Sequence, residues 1–324
     1  MRRRAFSVSL SALTALPAAT WAQAHAWPTR SLRIVVAYPP GGLSDGVART
    51  LAEKLTGPLG VPVVVENRAG AGGGVGMEVV AKSPPDGATI GFSAISPLAL
   101  NPHLGRMNFD PLRDIAPVAS VMYTPVLVVG TPSFEGRSFA DLIAAARAKP
   151  GAMRWGTSGQ ATIGHLVLEQ VKAIAGVDIT HIPYKGGGQQ VNDALSGQFE
   201  ILSTNVAAAQ VQHVKAGRLK ALAVGAPARM EALPEVPTLA ELGFAPANLV
   251  SLFGVFAPGR TPEALVARLN TEINKVLQQP DFRSRLLAAD NVPTGGSPAD
   301  FARQIAAESE SNARIIRAAH IRLE

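Results

Sequence analysis

The stretch RIVVAYPPGGLSDGVARTLAEKL, residues 33–55, decides how the rest of the chain is interpreted. It begins with the apolar run IVVA, whose length and β-branched content are typical of a buried strand. After the turn YPPGG, apolar side chains recur at every fourth position from Leu43 to Leu55, which is helical spacing. The stretch therefore predicts a strand, a glycine-rich turn and a helix.

The turn between this strand and helix is a candidate anion site. Gly41 and Gly42 have no Cβ atom, so a ligand can approach their amides closely. The first N–H groups of the following helix have no partner within it and carry the positive end of its dipole. An alternative is that the turn binds nothing and that Ser44 or Asp45 only caps the helix. For a small carboxylate or phosphate, the residues assigned to this site are Tyr38, Pro40, Gly41, Gly42 and Asp45.

Composition excludes several classes of protein. With 324 residues, 47% of them hydrophobic and 17% charged, the chain can fill about two domain cores and is not disordered. It contains no cysteine, which excludes disulfides, thiolate metal sites and a cysteine nucleophile. Its six histidines show no metal-binding spacing, and there is no Walker lysine. We therefore predict no cofactor, no metal site and no catalytic residue.

Residues 1–26 are predicted to be a signal peptide. Three arginines at positions 2–4 precede a mostly apolar stretch, and alanine-x-alanine cleavage sites end at Ala24 and Ala26. Removing the three arginines lowers the formal charge from +6 to +3, which weakens the case for a nucleic-acid partner. No later run approaches the roughly 18 apolar residues needed to cross a bilayer. The mature chain is therefore expected to be secreted as a soluble protein.

A second strand, turn and helix follow around GTSGQAT, residues 156–162. Its hydroxyl groups add side-chain donors to the amides of a helix start, although they also serve as simple caps. The residues assigned to this second turn are Thr157, Ser158, Thr162 and His165. We interpret His165 as a residue that packs in the helix or lines the ligand site, in preference to a catalytic base. A hydrolase elbow, G-x-S-x-G, is excluded because Gln160 stands where glycine is required.

Other strand ends supply further candidates, because the carboxyl ends of strands in open α/β sheets carry the ligand-binding loops. The residues assigned from them are Ser96, Tyr184, Lys185 and Asn205. Tyr184 would stack on a ligand or donate to it, and Lys185 would pair with a carboxylate. The plainer alternatives are a turn residue at Ser96 and a solvated lysine at Lys185.

Two β-rich runs divide the chain. Residues 115–129 and 249–257 interrupt the alternation of short strands and helices. Pro125 argues against a regular central strand and favours an extended segment passing between domains. We therefore predict an α/β fold with two crossover strands and a cleft between two domains. The predicted first domain is residues 27–124 together with 251–324, and the second is residues 125–250.

Six groups of motifs, taken in their order along the chain, resemble those of a known family. In order, they are YPPGG with Asp45, Asn67-Arg68 with Gly70-Ala71-Gly72-Gly73, Asn101-Pro102, GTSG with Thr162 and His165, Pro183-Tyr184-Lys185-Gly186, and Val236-Pro237-Thr238 with Glu241. Over essentially the whole mature chain, the protein resembles the Bug (TctC-like) solute receptors of tripartite tricarboxylate transporters. These receptors are similar to type II periplasmic binding proteins.

The resemblance implies a monomeric, non-enzymatic receptor in the periplasm. It would capture an organic acid, an aromatic acid or an amino acid in the cleft and deliver it to a membrane permease. Ala161 and Gly164 depart from the family pattern, and Ser-Thr-Asn at 203–205 replaces a segment that often carries aspartate. The alternatives are a ligand-sensing receptor of a two-component system and, less favoured, a secreted α/β hydrolase. The identity of the carboxylate stays open.

Overall fold

The computed structural model describes residues 27–28, 30–319 and 321, so the predicted signal peptide lies outside the described residues. The strands are β1 (Leu32–Val36), β2 (Val63–Asn67), β3 (Thr89–Ala94), β4 (Ile115–Gly130), β5 (Arg154–Thr157), β6 (Thr180–Pro183), β7 (Ile201–Asn205), β8 (Lys220–Gly225), β9 (Val250–Pro258) and β10 (Val292–Pro293). The helices are α1 (Leu43–Leu59), α2 (Gly74–Ala81), α3 (Ser96–Ala99), α4 (Phe139–Ala148), α5 (Ile163–Ala175), α6 (Gly187–Leu195), α7 (Ala208–Lys215), α8 (Glu263–Leu277), α9 (Pro280–Leu287) and α10 (Pro298–Ala318).

One path of paired strands runs through the molecule in the order β2-β1-β3-β9-β4-β7-β5-β6, and β8 and β10 each pair with β4. Strands β1, β2 and β3 are parallel, as are β5, β6 and β7, whereas β9 and β4 are antiparallel to their neighbours. We call β1–β3, β9 and β10 with α1–α3 and α8–α10 the first lobe. The second lobe comprises β5–β8 with α4–α7.

Strand β4 joins the lobes. From Ile115 to Pro125 it pairs with β9, and from Val126 to Gly130 it pairs with β7 and β8. Pro125 therefore does lie within a central strand, contrary to the expectation, although β4 also passes from one lobe to the other as an extended segment. The proline lies where the strand changes partner, so its missing N–H group is tolerated there, and its carbonyl accepts the Val206 N–H at 3.1 Å.

Helices cover both faces of each part of the sheet. In the first lobe, α1, α8 and α9 pack on one face around Leu51 and Phe92, while α2, α3 and α10 cover the other around Phe256. In the second lobe, α4 and α5 cover one face around Trp155, and α6 and α7 cover the other around Phe199. Burial of these apolar faces is the main favourable contribution to folding.

The end of α10 reaches beyond the first lobe. Ile316 and Ile321 join the apolar core that contains Trp155 of the second lobe. The domain boundaries expected from the sequence therefore stay a prediction, since the last helix contacts both lobes. Among the residues described, no helix has both the length and the apolar character needed to cross a membrane.

Candidate functional site

A cavity of about 730 Å³ lies between the lobes. Its wall is formed by the first-lobe turn before α1 and by α9 and β9, and by second-lobe residues of α5, α6, β7 and α7. The predicted site residues that line it are Tyr38, Pro40, Gly41, Gly42, Ser96, Ser158, Thr162 and Asn205. The two glycine-rich turns recognised in the sequence therefore contribute to one cavity.

Four helices begin at this wall. Their first residues, which all line the cavity, are Leu43 of α1, Ile163 of α5, Gly187 of α6 and Ala208 of α7. Within the described part of the chain, no N-cap side chain bonds to the starts of α1, α6 or α7. At the start of α5, the Thr162 hydroxyl accepts the His165 N–H at 3.4 Å. Unpaired N–H groups and helix dipoles together favour negative charge in the cavity.

Few charged side chains line the cavity, so the helix starts dominate its electrostatic character. Of the described lining residues, Asp193 is the only carboxylate and Arg285, which is exposed, is the only arginine or lysine. Asp193 accepts a hydrogen bond from the Tyr184 hydroxyl at 2.8 Å. Burial, followed by this hydrogen bond, raises the pKa of Tyr184 to about 12. Tyr184 therefore holds Asp193 and does not itself line the cavity.

Asp45 supports the first turn from behind the wall. Its carboxylate accepts the Gly41 N–H at 3.0 Å, Arg49 Nε at 3.0 Å and Asn67 Nδ2 at 2.9 Å. Burial alone would raise the pKa of Asp45, but these hydrogen bonds outweigh it and hold that pKa below its usual value. The Gly41 amide is thus already paired, which leaves the amides from Gly42 onward for a ligand.

The second turn is held in a similar way by residues beneath it. The buried Thr157 hydroxyl donates to the Gly159 carbonyl at 3.1 Å and lies 2.7 Å from Nε2 of His181. His165 accepts the Ala161 N–H on Nδ1 at 3.3 Å and stacks on His181, with ring centroids 4.3 Å apart. Neither Thr157 nor His165 lines the cavity, so both position the turn.

Two of the departures from the family pattern, at Ala161 and Gly164, have simple structural explanations. Ala161 has φ +53°, a left-handed conformation that favours glycine and costs another residue roughly 1–2 kcal/mol. The backbone of the turn is therefore one that glycine would also adopt. Gly164 lies against β7, where a Cβ atom would come within 2.8 Å of Ser203 Oγ. The small residue lets α5 pack closely on that strand.

The first turn of α6 contributes Gly187 and Gly188 to the cavity, whereas Tyr184 and the exposed Lys185, which precede the helix, lie outside the wall. A Cβ atom on Gly188 would lie 3.3 Å from the Pro40 carbonyl oxygen. One on Gly42 would lie 4.0 Å from the Gly188 amide nitrogen. The starts of α1 and α6, which belong to different lobes, therefore approach each other closely.

Several polar lining residues were not among the residues assigned to the site from the sequence. They are Ser44, Gln189, Asn192, Ser203, Thr204, Gln210, Ser251 and Asn291. Ser203 and Thr204 adjoin Asn205 in a polar strand end, which is a signal that the sequence contains. Ser251, by contrast, lies inside an apolar run and donates to Asn205 Oδ1 at 2.8 Å only because the strands bring the two together. Asn291 follows α9 with no recognisable motif.

The chain matches known proteins over most of its length. A family model described as "Tripartite tricarboxylate transporter family receptor" matches residues 47–321. Protein BugT of Bordetella pertussis is 36% identical over 296 residues, covering 91% of this chain and 90% of BugT. An R. palustris protein solved with adipate is 34% identical with a TM-score of 0.86, covering 91% of this chain and 99% of that one.

A second solved structure is similar at lower identity. MatC from Rhodopseudomonas palustris, with bound malate, is 26% identical with a TM-score of 0.85, covering 90% of this chain and 100% of MatC. The α/β fold is therefore that of periplasmic solute-binding proteins. The chain belongs to the TctC family of tripartite tricarboxylate transporter receptors, the Bug-type solute receptors.

Proposed function

We propose that this protein is an extracytoplasmic receptor that captures a small carboxylate between its lobes and delivers it to the permease of a tripartite tricarboxylate transporter. The observation that carries the proposal is the convergence of four helix starts on one cavity. An interaction between an anion and a helix start typically contributes about 0.3–1 kcal/mol, and up to about 2 kcal/mol where it is partly buried. Together the helix starts favour a carboxylate without a buried cationic side chain.

The relatives support the same class of ligand. One solved relative holds adipate and another holds malate, and both ligands are carboxylates. Both the family and the structural neighbours are receptors, which agrees with the expectation of a binding protein without catalysis. Within this site, Gly42, Ser158 and Thr162 are the predicted residues that we propose contact the carboxylate.

We further propose that the lobes move as two domains about β4 and β9. The change of partner at Pro125 and the start of β9 at Val250 support the predicted boundaries. Because Ile316 packs in the core of the second lobe, the last turn of α10 would have to move with that lobe or lose this contact. The carboxylate would bind to the open form and be enclosed when the glycine-rich turns of the two lobes approach each other.

Binding is tested first. The protein is purified under native conditions, and small molecules released by denaturation are identified by mass spectrometry. Isothermal titration calorimetry then measures the affinity of the stripped protein for the released acids. The proposal predicts that a carboxylate copurifies and binds with a micromolar or lower dissociation constant. Failure of every released acid and of a broad carboxylate panel to bind would contradict it.

Delivery needs a separate test in cells. Deletion of the gene is expected to abolish uptake of the radiolabelled ligand, and a Gly42→Val copy is expected to restore much less uptake than the wild type. Normal uptake combined with lost transcriptional induction by the ligand would favour the sensing alternative. Hydrolysis of an ester of the ligand by the purified protein would favour the enzyme alternative.

The remaining expectations concern location and assembly. We propose that the chain is exported by cleavage near residue 26 and acts as a monomer in the periplasm. Amino-terminal sequencing of the protein recovered from the periplasm tests the cleavage site. Light scattering after size-exclusion chromatography tests the monomer.

A further inference from the structure

The glycine-rich segment 70–74 does not line the cavity, so ligand contact leaves it unexplained. A Cβ atom on Gly70, Gly73 or Gly74 would meet side chains of the first lobe, which indicates packing within that lobe. Gly72 is different. The atoms nearest to a Cβ atom on Gly72 belong to the second lobe.

Gly72 packs against the backbone of the second glycine-rich turn. A Cβ atom on it would lie 2.5 Å from the Gln160 carbonyl oxygen and 3.2 Å from that of Ala161. The approach is mutual, because a Cβ atom on Gly159 would lie 3.6 Å from the Gly72 Cα atom. We call Gly72 with residues 159–161 the first interlobe contact. No side chain fits there without movement, because packed interiors leave little spare room.

A second contact of the same kind lies before α6. A Cβ atom on Gly186 would lie 2.1 Å from Pro39 Cδ and 2.8 Å from Pro39 Cγ. Gly186 is buried and does not line the cavity, although Gly187 and Gly188, which follow it, do. We call Gly186 with Pro39 the second interlobe contact. At both contacts, the missing side chain of a glycine lets one lobe reach the other.

Both sides of the first interlobe contact are held within their own lobes. The Tyr38 hydroxyl donates to the Gly72 carbonyl at 3.4 Å. Across the contact, the Gly159 carbonyl accepts from the hydroxyls of Thr157 at 3.1 Å and Thr162 at 2.8 Å. Tyr38 and Thr162 also line the cavity. The separation of the lobes at the ligand site is therefore set by a backbone contact, which cannot yield as a flexible side chain would.

The first interlobe contact does not bind the lobes together by itself. Within the described part of the chain, no hydrogen bond joins Gly72 to residues 159–161. Only dispersion contacts remain, and each of these is weak. A ligand that contacts both lobes would supply the missing attraction and shift the population toward the closed form.

We infer that Gly72 and Gly186 are positioning residues for ligand capture. They let the lobes close until both glycine-rich turns reach one carboxylate, and they do so without touching it. This inference rests on the proposed function, since it concerns the closed form of that receptor. The carboxylate enters the open form, so an added methyl group at either contact opposes closure and speeds dissociation.

The first test is Gly72→Ala with two matched controls. Gly72 has φ +59°, and Gly60 and Gly176 have φ +68° and φ +61°, so alanine is strained to a similar extent at all three. A Cβ atom on Gly60 or Gly176 meets nothing within 4 Å. The ligand-free melting temperature is therefore expected to fall by about the same few degrees in all three variants.

Affinity should separate Gly72→Ala from its controls. The probe is whichever of succinate, malate, adipate, benzoate and the copurifying acid binds the stripped wild type most tightly. Calorimetry is expected to show at least about tenfold weaker binding by Gly72→Ala, and less than about twofold change in Gly60→Ala and Gly176→Ala. Stopped-flow measurements should assign the loss to faster dissociation, with the association rate within about twofold of the wild type.

A double-mutant cycle tests the second interlobe contact. Pro39→Ala removes the Cγ and Cδ atoms that a side chain on Gly186 would meet. Gly186→Ala is expected to weaken binding at least about tenfold in the wild type, but about threefold or less in the Pro39→Ala background. Backbone strain at Gly186 is the same in both backgrounds, so it cancels from the comparison.

The possible outcomes distinguish this inference from the proposed function. Equal affinities of Gly72→Ala and Gly60→Ala, with the wild type binding the probe, would overturn the role of Gly72. A ligand-free Gly72→Ala protein that melts far below both controls would also overturn it, because the contact would then be a permanent part of the fold. Additive effects in the cycle would overturn the role of Gly186. Binding of none of the acids by the wild type would instead overturn the proposed function.

Discussion

Gly42 and Ser158 line the cavity at the two turns, whereas Asp45 and Thr157 hold those turns in place. Each turn therefore has residues that line the cavity and a supporting residue behind them. The sequence presents both kinds as polar or small residues near a helix start. Substitutions should distinguish lining residues from supporting residues, because loss of a ligand contact changes affinity and loss of a support changes stability.

Gly42→Val is expected to weaken ligand binding at least tenfold with little change in melting temperature. Gly42 has φ −88°, which any residue can adopt, and its Cβ atom would lie 4.0 Å from the Gly188 amide nitrogen. The valine side chain would therefore occupy the gap where the starts of α1 and α6 approach. Gly57→Val in the same helix meets nothing within 4 Å and serves as the control. Equal affinities in both variants would contradict this assignment.

Ser158→Ala should change ligand affinity, whereas Thr157→Ala should change stability. Ser158 lines the cavity, so its loss is expected to reduce affinity about tenfold at unchanged stability. The Thr157 hydroxyl is buried and bonded to Gly159 and lies beside His181, so its loss should lower the free energy of unfolding by about 1–3 kcal/mol. Urea unfolding measures this, with Thr157→Ser as the control that keeps the hydroxyl. A fully stable Thr157→Ala protein would argue against the supporting role.

Helices and strands place these residues through a few specific contacts. The stacked histidines join α5 to β6 directly beneath the second turn. Burial, followed by the nearby charge of Lys172 and, for His165, also by its histidine neighbour, lowers the pKa of His165 to about 3 and that of His181 to about 4. Both rings are therefore neutral in the folded protein near neutral pH.

Stability is expected to fall in mild acid for this reason. The folded-state pKa values lie below the unfolded value of 6.5, so the unfolded chain binds protons first as the pH drops. The stabilisation is complete above about pH 6.5 and decreases as the pH falls through 6.5 toward the folded-state values. Melting temperatures between pH 7 and pH 5 should show this decrease, and His181→Gln should reduce it. His103→Gln, at an exposed position, should not.

At the scale of the whole molecule, the cavity exists because two lobes meet. Strands β4 and β9 connect the lobes, and the starts of α1 and α6 approach across the gap. We propose that this close approach represents the closed form of the site, and that the open form arises by rotation about the crossover strands.

Ligand binding is therefore expected to compact the protein. Small-angle X-ray scattering should give a smaller radius of gyration with saturating ligand than without it, because closure brings the lobes together. Gly42→Val at the same ligand concentration should keep the larger radius. An unchanged radius in the wild type, at a concentration where calorimetry shows saturation, would exclude closure on binding.

Much of the fold could be predicted from local patterns. The strand before Tyr38, the helix from Leu43 and the β-rich run that became β4 all appear near their predicted positions. Ser297 caps the start of α10 in a capping box with Asp300, and the Ser-x-x-Asp spacing of such a cap is visible in the sequence. Apolar periodicity and cap residues are local properties, so these elements are visible without a structure.

The site was only partly predictable. Gly42 and Ser158 line the cavity because each belongs to a turn that ends a strand, and that pattern is local. Asp45 and Thr157 belong to the same motifs but face backbone and side-chain partners behind the wall. A motif fixes which residues lie near a helix start. It does not fix which of them faces the ligand, because that depends on what packs against the other side.

The sequence by itself determined the alternation of strands and helices, the two glycine-rich turns and the family, because these depend on short-range spacing and on motifs kept in order. Only the tertiary structure decided that Ser251 and Asn291 line the same cavity as Gly42, since those residues are far apart in the chain. The physical reason is that strand pairing across β4 and β9 sets their distances, and no local pattern records that pairing.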